Sequence, residues 1–266
     1  MRRFAVVLGL AATLWAAGAY QDEIAKWRHD REARLVADEG WTTVAGLFWL
    51  KPGVNKFPAI PAPVEFLYEK GAVKVHHSGK WQTLRPDISG ADDKLVIGSL
   101  TMNVIERDGR QGIRLRDKNS KYRREFKGLK YFPVKPEYRV EAKWLPYPKP
   151  KKVVVSTVID GVKEAYDATG QVEFTLNGRK LHIEPVVDGD ELFFIFRDLT
   201  TGKSTYNAGR FLYSPLAKNG KVTIDFNKAY NPPCAFTPFA TCPLPPPQNR
   251  VDAAIEAGEL AYHLTE

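Results

Sequence analysis

VEFTL-NG-RKLHIE, residues 172–184, is the stretch on which the fold class turns. Asn177-Gly178 suits a two-residue type I′ turn, because both central residues of that turn must take positive φ. The flanking runs alternate apolar and polar: Val172, Phe174 and Leu176 face one way, and Leu181 and Ile183 can meet them from the partner strand. The spacing predicts a β-hairpin with one buried face. Downstream, the run 192–196 is apolar throughout and reads as a strand buried on both faces. Upstream, from Trp41 onwards, β-branched and aromatic runs alternate with Gly, Pro, Asn and Asp roughly every eight to twelve residues, the pattern of a sandwich or barrel. Further strands are expected at 44–50, 65–68, 73–76, 100–106 and 112–116.

The ends of the chain read differently. Arg2 and Arg3, an apolar run over 4–17 and the small residues Ala17, Gly18 and Ala19 have the three zones of an export signal. Cleavage is expected after Ala19; the alternative is a retained anchor helix, for which the run is short against the roughly 20 apolar residues that span a bilayer. No later segment is apolar enough to span. Residues 21–39 lack proline and glycine, and Ile24, Trp27 and Leu35 can share a face ahead of Gly40, which predicts an amphipathic helix packed on the body of the protein. The proline-rich stretch from Pro146 to Pro150 is expected to separate two β-rich portions. The resulting division is 1–19 signal peptide, 20–40 helix, 41–145 first β-rich portion and 146–266 second β-rich portion with a C-terminal strap. The expected fold is mainly β, with sandwich or barrel-like sheets, and its compartment is periplasmic or secreted.

Net charge is +8, to which the two leader arginines contribute. The excess is dispersed. Its densest run, Lys118, Lys121, Arg123, Arg124 and Lys127, alternates with polar residues and reads as a solvated face. Export argues against nucleic acid as a partner and leaves an anionic envelope surface or substrate.

Three stretches resemble the bacterial family known as domain of unknown function 1684. They are GLFWL (46–50), KGLKYFPVKPEYRVEAKW (127–144), and ELFFIFRDLTTGKSTYNAGRFLY (191–213), the last followed by DFNKAYNPPCAFTPFATCPLPPPQNR (225–250) and continuing through 254–259. The resemblance spans roughly 31–259, and the short, proline-rich loop 56–63 departs from it. It implies no reaction and no catalytic residue, because the family's function is unassigned. It marks 191–259 as one folding and functional unit.

Cys234 and Cys242 are the chain's two cysteines. In an oxidising compartment the first reading is a disulfide, closing a nine-residue loop and stabilising by about 2–3 kcal/mol on the chain-entropy model. Two free thiols, or a metal or catalytic thiol, are the other readings. His29, His76, His77, His182 and His263 form no ligand-like spacing, so no metal is expected, and no motif names a cofactor. Ser99, Ser204 and Ser214 lack the nucleophile-elbow context.

The strap is rich in proline, which excludes regular helix or central strand. It also carries Phe226, Tyr230, Phe236 and Phe239, which favour burial. Such a loop must be held by side-chain hydrogen bonds, for which Asp225, Asn227, Asn231, Gln248, Asn249 and Arg250 are suited. The leading functional reading is an exported protein that binds a small molecule or an envelope component in a pocket beside this strap. Tyr230, Asn231 and Arg250, with Arg197 and Arg210 at strand ends, are its expected contacts; a buried Arg–Asp pair holding the loop explains Arg197, Asp198 and Arg210 as well. A second reading is a carboxylate-dependent hydrolase using Asp198, Asp225 and Glu184. A third is a purely structural envelope protein.

Overall fold

A computed structural model describes residues 4–61 and 63–264, and of residues 4–17 only the backbone. Arg2, Arg3 and Ala62, which enter the readings above, lie outside the described residues. Helix α1 (Phe4–Val36) therefore runs from within the expected leader into the expected amphipathic helix. Ile24 and Leu35 are buried and Trp27 is half-buried, so the proposed stripe is the packing face. The helix ends three residues before the expected limit. Gly40 is needed there because a Cβ would lie 2.2 Å from the Leu35 carbonyl oxygen.

The next block is a sandwich of two four-stranded antiparallel sheets. Its strands are β1 (Val44–Trp49), β2 (Gly53–Asn55), β3 (Glu65–Glu69), β4 (Ala72–His77), β5 (Lys80–Leu84), β6 (Leu95–Ile97), β7 (Leu100–Arg107) and β8 (Arg110–Asp117). One sheet has the order β2-β3-β4-β5 and the other β1-β8-β7-β6. Between them lie Phe66, Val73, Val75, Met102, Val104 and Ile113.

The second block is one seven-stranded sheet made by β9 (Arg139–Ser156), β10 (Lys163–Leu176), β11 (Arg179–Ile183), β12 (Val186–Asp188), β13 (Glu191–Phe196), β14 (Arg210–Pro215) and β15 (Lys221–Asp225). Its order is β14-β13-β12-β10-β9-β15, with β11 added on β10. The two ends approach each other, and Ser214 Oγ donates to the Thr223 carbonyl at 2.7 Å, so the sheet is nearly closed into a barrel. The hairpin forms in the expected register, Val172 opposite Ile183 and Phe174 opposite Leu181, with Asn177 and Gly178 at φ 51° and 74°. Strand β13 is buried on both faces: Leu192, Phe194 and Phe196 enter the barrel core, and Phe193 and Ile195 a second core outside it.

The Pro146–Pro150 stretch divides nothing; it lies inside β9. Pairing steps from Pro146 opposite Gly170 to Lys151 opposite Ala168, so the intervening residues bulge out of the ladder. Proline has no N–H to give to a ladder, and a bulge is where a strand tolerates it. The changeover between the two blocks falls instead between β8 and β9.

After β15 the chain becomes the expected strap, with short 3-10 turns at Phe226–Lys228, Pro233–Ala235 and Pro247–Asn249. Side chains hold it. The Asn249 amide accepts from the Glu184 N–H at 2.8 Å and donates to the Glu184 and Ile195 carbonyls at 2.9 and 3.0 Å. Asn227 exchanges two bonds with the backbone of Lys135. Among the described residues no helix is long and apolar enough to cross a membrane.

Candidate functional site

A cleft of about 470 Å³ opens between α1, the outer face of the barrel and the strap. The barrel supplies an aromatic wall. Phe193 on β13 sits directly opposite Tyr213 on β14, and their rings stack at 4.6 Å. Phe211, two residues before Tyr213 and hence on the same face, meets Phe193 edge-on at 4.9 Å, and Tyr230 of the strap extends the series. The helix supplies the facing wall: Trp27, Arg31 and Arg34 lie at i, i+4 and i+7, one stripe. Trp41, just past the helix, and Lys228 and Pro233 of the strap complete the lining.

Arg31 is fixed from behind. Its Nε donates to Glu259 Oε1 at 3.0 Å and its Nη2 to the Asn231 carbonyl at 3.0 Å. Its guanidinium lies 4.5 Å over the Tyr230 ring. Glu259 is fully buried and also accepts from the Asn231 N–H at 2.7 Å and amide at 2.9 Å. Burial pushes its carboxyl above the usual range, against the pull of Arg31 and Asn231. Lys228 is paired with Glu23 at 2.6 Å. Arg34 is exposed, and its charge acts on Asp30 one turn earlier on the helix. No carboxylate lines the cleft among the described residues, so an aromatic cavity carries a cationic rim. Its described lining also holds no Ser, Cys or His. Behind Trp41, Arg114 stacks at 5.0 Å; its burial and the neighbouring Arg116 and Arg107 push its pKa down to about 10.

The residues expected to bind ligand are split. Tyr230 lines the cleft, and Asn231 stands behind it as the support of Arg31 and Glu259. Arg197 and Arg250 line a separate surface cleft of about 490 Å³, together with Asp198. Arg210 lines neither; it is buried, bonded to Asp198 at 2.8 Å and to the carbonyls of Ile255 and Ala257.

The three carboxylates do not converge on one cleft; each sits in its own network. Asp198 is used up by Arg210, the Ile255 N–H, and the N–H and hydroxyl of Thr200. Asp225 accepts from the Tyr20 hydroxyl at 2.9 Å and from the Asn227 N–H. Glu184 accepts from Lys151 at 2.6 Å, from Gln248 at 3.1 Å and from the Tyr147 hydroxyl. These are structural bonds, and they leave the hydrolase reading without a paired acid and base. Among the described residues no group of three or more His, Cys, Asp or Glu is placed to hold a metal ion.

Cys234 and Cys242 are not bridged here; both are free thiols. The Cys234 N–H gives Cys242 Sγ a hydrogen bond at 3.2 Å.

Sequence reading missed the helical stripe as a wall of the cleft. Trp27, Arg31 and Arg34 carry a helical spacing visible in the sequence, but only the tertiary path brings them opposite Phe193 and Tyr213.

Comparison with known proteins adds the family and no activity. A family model described as "Protein of unknown function (DUF1684)" matches residues 124–260, which hold the barrel and the strap. That is narrower than the 31–259 read from the sequence and leaves out α1 and the sandwich. Among solved structures, an uncharacterized protein of Haloarcula marismortui determined by solution NMR is 35% identical, covering 52% of this chain and 78% of that chain, with a TM-score of 0.44. The search of curated proteins finds no match. The chain thus belongs to the DUF1684 family, whose function is not assigned.

Proposed function

We propose that this is an exported binding protein whose cleft between α1, the barrel and the strap takes a small molecule with a flat apolar body and an acidic group. One observation carries this reading: aromatic walls on both sides, three cations and no carboxylate in the lining. Flat rings gain offset stacking and edge contacts in such a slot, and a volume of this size suits a small organic ligand. Arg31 and Lys228 are paired with Glu259 and Glu23, and Arg34 is the exposed cation of the lining, placed to meet an incoming anion. A free acid or an acidic group of an envelope component fits equally. Export is supported by the leader pattern. Cleavage after Ala19 would leave Tyr20 as the first residue, and with it the phenol that bonds Asp225 and Asn227.

Two measurements test this. Native mass spectrometry of protein taken from its own host is expected to find a co-purifying acid. Titration with aromatic carboxylates and their neutral amides, followed by tryptophan quenching, is expected to favour the acids. Arg34→Ala is expected to weaken acid binding by about 1–2 kcal/mol, about five- to thirtyfold in Kd, and to erase the preference over the amide. Equal affinity for acid and amide in the wild type would overturn the proposal.

A further inference from the structure

The strap holds a second reactive feature that the cleft does not use. Cys234 directly follows Pro233 of the cleft lining, and Cys242 closes the same short loop. The two cysteines meet across this loop, where the Cys234 N–H donates to Cys242 Sγ, 3.2 Å away. The surrounding chain fixes both ends independently of the sulfurs. Tyr206 donates its hydroxyl to the Cys234 carbonyl at 3.0 Å, and the Val158 N–H bonds the Cys242 carbonyl at 2.9 Å. The loop therefore holds the two sulfurs together without a covalent bond.

The two thiols are unequal. Cys242 is buried, whereas Cys234 is partly open to solvent. The bond from Cys242 holds the Cys234 thiol below its ordinary range, and burial pushes Cys242 well above it. An accessible, more acidic thiol beside a buried partner is the arrangement in which one sulfur attacks and the other resolves.

We propose that Cys234 and Cys242 form a reversible dithiol–disulfide couple that exchanges with disulfides of the glutathione type, Cys234 attacking and Cys242 resolving. In the first step the Cys234 thiolate forms a bond to one sulfur of the incoming disulfide. The S–S bond of that disulfide breaks, and the released thiolate takes up the proton that Cys234 lost. In the second step the Cys242 sulfur, giving up its proton, attacks Cys234; the mixed disulfide breaks and the second thiol leaves protonated. Two electrons and two protons pass from the pair to the incoming disulfide, and a dithiol reductant runs the steps backwards. This inference stands apart from the ligand reading of the cleft.

The test uses the full chain, reduced and folded, incubated with glutathione disulfide, alkylated and weighed intact without reductant. The wild type is expected to lose both alkylatable thiols, retain no glutathione, and recover both thiols with dithiothreitol while still folded. Cys242→Ser is expected to hold one glutathione at position 234, at least about tenfold faster than Cys234→Ser acquires one at 242. The wild-type measurement stands alone if a variant fails to fold. The proposal is overturned if the folded wild type keeps both thiols while the urea-unfolded chain bridges. Resistance of the folded bridge to dithiothreitol, or capture at both positions at equal rates, would overturn it as well.

Discussion

Glu184 shows how a residue that resembles a catalytic acid can be bound entirely into structure. Its backbone N–H and carbonyl are held by Asn249, and its carboxylate by Lys151, Gln248 and Tyr147. Burial alone would raise its pKa, but the hydrogen bonds from Lys151, Tyr147 and Gln248 outweigh it, and the carboxyl lies below its ordinary value of 4.5. The sign of the pH dependence follows. A carboxylate with a depressed folded pKa contributes stability that is complete above the unfolded value and is lost as pH falls through the folded one. Glu184→Gln is therefore expected to cost about 1–2 kcal/mol at neutral pH, a value reduced by the solvent around Lys151. The difference from wild type should shrink steadily as pH falls below 4.5. Urea unfolding at a series of pH values measures it, and a difference that stays constant down to acid pH would contradict the account.

Gly258 plays a comparable part for the strap as an element. It sits at φ +80°, and a Cβ there would lie 2.3 Å from the Ala229 carbonyl oxygen and 2.9 Å from that of Phe226. The close approach lets the Glu259 N–H bond the Ala229 carbonyl at 2.8 Å and aims the Glu259 carboxylate at Arg31. Gly258→Ala adds both left-handed strain and a backbone clash, so it is expected to cost about 2–4 kcal/mol and to weaken ligand binding through Arg31. A stability within about 0.5 kcal/mol of wild type in urea would mean that the strap is not anchored there. Elements defined by local chemistry were legible in the sequence: the Asn177-Gly178 hairpin, the doubly buried run 192–196, the stripe of α1 and the polar residues that tie the strap. What was not legible depends on distant partners. Prolines at 146–150 suggest a linker unless one knows that Gly170 lies opposite, where the ladder can bulge. A buried Arg–Asp pair can be read from Arg197-Asp198 and Arg210, but only the fold shows that Arg210 is the partner and that the Ile255 N–H completes the site.

On the scale of the whole molecule, the cleft is assembled from three separate parts of the chain, 27–41, 193–213 and 228–233, two of which fall within the family match and one outside it. The helical wall sits on an element joined to the barrel and strap by side chains rather than by a ladder: Ile24 and Leu35 are buried, Tyr20 is bonded to Asp225, Glu23 to Lys228, Arg28 to the Phe132 carbonyl, and Arg31 to Glu259 and Asn231. The barrel is different. Strand β13 has neighbours on both sides and core on both faces, and β10 pairs with β9, β11 and β12. In the sandwich, β5 is an edge strand with four of its five residues exposed. Local opening free energies follow buried contact and paired neighbours, from near zero at frayed edges to the global value in a doubly covered strand. Hydrogen–deuterium exchange is accordingly expected to be slowest in β10 and β13, fastest in β5, and intermediate in α1. An acid bound in the cleft ties the helix to the barrel, so its addition should slow exchange across residues 27–34 while leaving β5 unchanged. Equal protection of β5 and β13 without ligand would contradict the ranking. Unchanged exchange in the helix at saturating acid would mean that the ligand is held by the barrel face alone.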